Sequence, residues 1–172
     1  QNGWLDNKER SKARQFLKEN PARREGPAGF RPSRPDSHRA HTNDRSHSRG
    51  PGGPMGHTRP PARPGTKISP DDVPMVDADT YSPFVLRTIF INFENDDWEA
   101  ELENFHGTDV EVPATLTVDR KKYPGCGIHF RGMSSYMMVP AGYKRSLNVT
   151  LDFINEEQRL RGYKTLNLLN CN

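Results

Sequence analysis

The feature that most constrains the fold of this chain is the contrast in charge between its two parts. Residues 1–70 carry 15 Lys and Arg against 6 Asp and Glu, whereas residues 71–172 carry 10 against 16. The formal net charge of +3 therefore hides a basic part and an acidic part. Hydrophobic residues make up only 32% of the chain, below the roughly 45–50% of an ordinary globular chain. We expect an acidic folded part joined to a polar basic part that lacks a core of its own.

The basic part begins with a helix signal. Asp6 followed by Glu9 is a capping-box pattern, with Asp where Ser or Thr is usual. Asn20-Pro21 ends the pattern, because a residue before proline avoids the α region. A helix over residues 5–19 is therefore predicted, and it would be marginal alone in water because helix nucleation is costly.

Pro, Gly, Arg, Ser and His dominate residues 21–70, which contain almost no apolar side chains. Such a segment cannot bury enough surface to offset its ordering entropy, so it is predicted to be a disordered linker. We interpret the arginines of this segment as solvated. Its histidines are irregularly spaced, so we do not interpret them as a metal site. The predicted organisation is a helical segment at 1–20, the linker at 21–70 and a folded domain at 71–172.

The acidic part alternates apolar and polar residues in several short runs, which is typical of strands. Trp98, Leu102 and Phe105 are spaced four and three apart, which predicts one helix over residues 95–105. Asp119-Arg120 is the expected hairpin turn. The predicted fold class is α+β, a mostly antiparallel sheet with one clear helix. Strands are expected at 86–93, 110–118, 122–131, 144–153 and 163–170.

The most unusual stretch is Gly127 to Ser146, GIHFRGMSSYMMVPAGYKRS. Gly132 would let the backbone approach a ligand closely, and the small serines that follow would leave N–H groups free for an anion. Lys144, which opens the next strand, could place a point charge on phosphates. This pattern is compatible with phosphate binding, although a Gly-Met-Ser-Ser turn between strands is more often only a turn.

The run VEVPATLTVDRKKYPGCGIHFRGMSSYMMVPAGYKRSLNVTLDF, followed by QRLRGYKTLNLLN, resembles the CotH (spore coat protein H-like) family of atypical protein kinases. The resemblance covers about residues 75–172. It implies a fold similar to protein kinases with a reduced ATP-binding lobe. It also implies ATP and Mg²⁺ as cofactors and phosphoryl transfer to a protein substrate that the sequence does not identify.

Carried over by position, the resemblance places a loop over the nucleotide phosphates and assigns Lys144 to reach them, with Arg145 as a helper. The loop residues are Arg131, Gly132, Ser134 and Ser135. No catalytic base or metal ligand is assigned, because the acidic residues that serve the family lie beyond residue 172, so the chain alone is expected to be inactive. The resemblance also implies a secreted or surface-associated protein.

Two other functions stay open. The first is a non-catalytic coat or adhesin-type binding module of the same family. The second is nucleic-acid binding through the basic linker, which we do not expect, because the linker arginines are read as those of a solvated tether. The pI near 9.0 comes mostly from the first half of the chain and does not describe the folded domain. No apolar run approaches the roughly 18–20 residues of a membrane span.

Several features receive ordinary structural interpretations. The acidic residues of helix 94–103 are predicted to form a solvated face. Asn167 and Asn170 are expected to satisfy backbone groups, and His129 to point away from the core. Arg120 stands where the family commonly has Gly, which predicts a change of turn type or register, because a type I′ turn favours φ > 0 there. A bridge between the two cysteines, Cys126 and Cys171, is left open.

Overall fold

The structure, a computed structural model, describes residues 4–20, 61, 63–132 and 134–169. Most of the expected linker therefore lies outside the described residues. The fold is an α+β arrangement around a five-stranded antiparallel sheet, which confirms the predicted fold class. The strands are β1 (Ile89–Phe93), β2 (Val112–Val118), β3 (Lys121–Phe130), β4 (Leu147–Thr150) and β5 (Thr165–Leu168). The helices are α1 (Asn7–Glu19), α2 (Trp98–Phe105) and α3 (Ser134–Met138), with a 3₁₀ turn at Pro70–Asp72.

The five strands follow one another across the sheet in chain order. Because side chains alternate along a strand, one face carries the apolar set, including Leu116, Ile128, Val149 and Leu166, each at most 2% exposed. Leu102 of α2 belongs to the same buried cluster. The period-2 pattern in the sequence therefore predicted both the strands and the face that they bury.

The sheet is strongly curved. Ile89 of β1 and Leu168 of β5 line one cavity of about 270 Å³, although these strands are the two edges of the sheet. Ile91 of β1 and Leu147 of β4 line a second cavity of about 380 Å³. The two edges must therefore approach each other across the apolar face, leaving cavities along the gap between them.

The hairpin between β2 and β3 keeps a two-residue turn. Asp119 and Arg120 both have positive φ, 50° and 63°, as a type I′ turn requires. The expected change of turn type is therefore wrong. The register shift lies instead farther along the hairpin, between the Ala114 and Leu116 pairings, opposite Pro124 and Gly125. Gly125 has φ 65°, which glycine adopts readily.

Arg120→Gly should raise the free energy of unfolding by about 1 kcal/mol, because a left-handed conformation costs a non-glycine residue roughly 1–2 kcal/mol. The guanidinium of Arg120 gives up only an exposed hydrogen bond to the Asp71 carbonyl, 3.1 Å. Urea unfolding measures the difference. Lys122→Gly, within β3, should instead destabilise; equal destabilisation by both variants would contradict the assigned turn.

Two further differences from the sequence expectations concern helices. Residues Ser134–Met138, predicted as loop, form the short helix α3. The N-terminal helix packs against α2. Its Arg10 contacts Glu94 and Glu101, which lie 84 and 91 positions later in the chain. Among the described residues, no helix is both long and apolar enough to cross a membrane.

Candidate functional site

The predicted phosphate loop is the connection between β3 and β4, and its base is closed. Phe130 pairs with Leu147 across the two strands, and the Arg131 N–H donates to the Ser146 carbonyl, 2.9 Å. Gly132 follows with φ 83°. Arg131 is therefore paired with Ser146, two residues after Lys144, where the loop begins and ends. The side chains of Arg131 and Lys144 are both exposed.

Arg145 points the other way, into the protein. Its guanidinium is 8% exposed and forms an ion pair with Glu103 of α2, 2.6 Å. Its Nε donates to the Val139 carbonyl, 2.8 Å, and its guanidinium carbon lies 4.6 Å from the ring centroid of Tyr136. Arg145 therefore fastens the loop to α2, a structural role that the sequence reasoning did not anticipate.

A second fastening comes from the end of α2. The ring of His106 stacks on Tyr136 with centroids 3.6 Å apart. Burial lowers the pKa of His106, and the nearby charge of Arg145 also lowers it, against a hydrogen bond with the Gly132 backbone that raises it. The neutral imidazole is thus favoured in the folded state.

The pKa of His106 predicts a loss of stability in acid. Because the folded pKa is lowered, the unfolded chain binds more protons below about pH 6.5, so stability falls as the pH drops through that value toward the folded pKa. His106→Phe keeps an aromatic ring on Tyr136 but does not titrate. Urea midpoints between pH 7.5 and 5 should therefore fall less steeply in this variant; identical slopes would contradict the assignment.

The cavity of about 380 Å³ lies between β1, the start of α2 and Leu147 of β4, and we call it the Trp98 cavity. The rings of Phe93 and Trp98 stack along it, with centroids 4.9 Å apart and an interplanar angle of 6°. Its volume falls within the roughly 300–1,000 Å³ of ligand pockets. It is lined by Ile91, Asn92, Phe93, Asn95, Asp96, Trp98 and Leu147.

Lys144 does not line the Trp98 cavity, but it lies close along the chain to residues that do or that adjoin it. Leu147, which lines the cavity, follows three residues later, at most roughly 10–11 Å along an extended chain. Gly142, two residues earlier, donates its N–H to Glu99, 2.8 Å, and Glu99 adjoins Trp98 in α2. The Lys144 segment is therefore connected on one side to a lining residue, Leu147, and on the other side to the sequence neighbour of Trp98.

The acidic residues around α2 form a solvated face only in part: Glu94 and Asp97 are half exposed, but Glu101 is buried, which corrects the sequence interpretation at that position. Glu101 is 2% exposed and accepts from the Nε of Arg10, 2.8 Å; Arg10 itself is 1% exposed. Arg10 also contacts Glu94, 2.6 Å, and Arg14 contacts Asp97, 2.6 Å. Burial acts to lower the pKa of Arg10, but its hydrogen bonds with the two glutamates raise it overall.

The opposite, polar face of the sheet carries His129 and Asn167, whereas Cys126 belongs to the buried cluster. His129 does point away from the core, as predicted, and its Nδ1 lies 2.9 Å from Glu111. Asn167 accepts from Asn148, 2.8 Å, a side-chain contact rather than the expected backbone contact. Asn170 and Cys171 lie outside the described residues. Cys126 is buried and is a free thiol, and burial raises its pKa to about 11.

Within the described ranges, no group of three or more His, Cys, Asp or Glu side chains could hold a metal ion. No protein-family model, curated protein or solved structure matches the chain.

Proposed function

We propose that this chain is the ATP-binding part of a CotH-like atypical protein kinase, which transfers the γ-phosphoryl group of ATP to protein. The proposal starts from the resemblance of residues 75–172 to that family. One structural observation supports it most: Leu147, which lines the aromatic-walled cavity, follows three residues after the exposed Lys144, at the end of a glycine loop whose base is closed. Such a combination suits a ligand with a flat ring and a phosphate tail.

The base would occupy the Trp98 cavity. Ile91 and Leu147 offer apolar surface, and the stacked pair of Phe93 and Trp98 offers aromatic surface against which a purine can pack.

The triphosphate would leave the cavity toward the β3–β4 loop. Lys144 would supply the point charge, as a lysine does in phosphoryl-transfer sites, and the exposed Arg131 would supply a second charge from the other side of the loop base. Gly132 allows close approach of the backbone, and α3 begins two residues later with Ser134 and Ser135. We withdraw Arg145 from the phosphate contacts, since Glu103 and Tyr136 hold it.

The chain would contribute binding rather than the chemical step. Phosphoryl transfer requires Mg²⁺ to neutralise charge on the phosphates and a carboxylate to hold the ion. We assign neither a metal ligand nor a catalytic base, and we keep the prediction that these 172 residues bind ATP without turning it over. The secreted or surface location stays part of the same proposal.

Isothermal titration of the whole chain with ATP in the presence of Mg²⁺ tests the proposal. The expected result is saturable binding of one ATP per chain. Absence of saturable binding would overturn nucleotide binding and favour the alternative, a binding module of the same family that has no nucleotide site.

A further inference from the structure

Asn95 connects the Trp98 cavity to the N-terminal helix. It lines the cavity, and its side-chain oxygen accepts from the Nδ2 of Asn7 in α1, 3.0 Å. Its Nδ2 donates to Glu101, 2.9 Å, whose other oxygen accepts from Arg10, also in α1. Both ends of the Asn95 amide are thus held by α1, directly or through one carboxylate.

The residues on either side of Asn95 are held by the same helix. Glu94 accepts from Arg10, 2.6 Å, and Asp97 accepts from Arg14, 2.6 Å. These residues join β1 to α2, and they lie outside both elements. The connection carries one wall of the cavity and is fixed from its outer side by a helix more than 80 residues earlier in the chain.

We propose that α1 positions this wall and so sets the affinity of the Trp98 cavity for its ligand, with Asn7 as the positioning residue. The ligand identity rests on the proposed nucleotide function, whereas the positioning of the wall does not. Coupling between two sites is reciprocal, so occupancy of the cavity stabilises the docked helix to the same extent that docking raises affinity.

Asn7 separates positioning from stability, because it is exposed and Arg10 carries the buried part of the docking. Asn7→Ala should raise the Kd for ATP with Mg²⁺ by about 2- to 12-fold, the value of one hydrogen bond, with little change in the urea midpoint. Lys8→Ala, the neighbouring exposed position of α1, is the matched control and should leave the Kd unchanged. Equal affinities in the two variants would overturn the proposal.

Acrylamide quenching tests the wall without any nucleotide. Trp4 and Trp98 are the two tryptophans of the chain, so Trp4→Phe leaves Trp98 as the reporter. On this background Asn7→Ala should increase the quenching of Trp98, and Lys8→Ala should not. If ATP fails to bind the whole chain, only the nucleotide function is lost, and this quenching result decides the positioning: unchanged quenching refutes it.

Discussion

Arg10→Met should lower the free energy of unfolding by about 3–5 kcal/mol, the cost of breaking a buried ion pair by removing one partner. The guanidinium is 1% exposed and contacts Glu101, Glu94 and the Leu5 carbonyl. Methionine leaves the carboxylate of Glu101, itself 2% exposed, without a charged partner in the interior. Urea unfolding followed by circular dichroism measures the loss.

Two variants show whether the cost comes from the buried charge. Adding Glu101→Gln to Arg10→Met removes that charge and should recover more than half of the lost stability. Arg14→Met breaks a comparable ion pair, but its partner Asp97 is 56% exposed, so we expect a loss of at most about 1 kcal/mol. If Arg10→Met costs no more than Arg14→Met, α1 is not docked through a buried pair.

Lys144→Met should raise the Kd for ATP with Mg²⁺ by about 10- to 150-fold, which corresponds to one hydrogen bond to a charged group. Methionine keeps the length and apolar stem of the side chain but removes the charge that would meet the phosphates. Because Lys144 is exposed, the urea midpoint should change little. Isothermal titration of the two proteins gives the ratio of affinities.

Lys122→Met is the matched control for Lys144. Lys122 is also exposed, but it lies beside the hairpin turn of β3, away from the β3–β4 loop. Lys122→Met removes one positive charge from the chain, as Lys144→Met does, so this variant reports the effect of net charge alone. An equal loss of affinity in both variants would show that the phosphates are attracted by overall charge and that Lys144 is not in the site.

Local pattern predicted the sheet well, because each strand carries its own signal. The alternation of Leu147, Val149 and Leu151 is readable without knowing what they pack against, and each belongs to the buried cluster or contacts it. The predicted strand bounds were generally too long, because a strand ends where its cross-strand partner ends: β4 stops at Thr150, opposite Thr165, the first residue of β5. Helix α3 was missed because Gly132, Ser134 and Ser135, at or just before its start, are typical of loops.

The contacts between distant segments could not be read in the same way. Arg10 and Glu101 are 91 residues apart, and each lies in a charged, polar run of the sequence, so each alone resembles a solvated surface. The opposite signs of the two parts of the chain were the available signal, but charge balance does not specify which residues pair. Arg145 was misread for a related reason: its partner Glu103 lies in α2, and only the fold brings the two together.

The fluorescence of Trp98 tests the central claim most directly, because this side chain lines the cavity assigned to the base. In the Trp4→Phe chain, ATP with Mg²⁺ should change the emission saturably, at the concentrations at which titration shows one bound ATP. The same titration on Lys144→Met should shift to higher concentration. ATP that binds without altering Trp98 emission, or that does not bind, would contradict the assignment of this cavity as the nucleotide site.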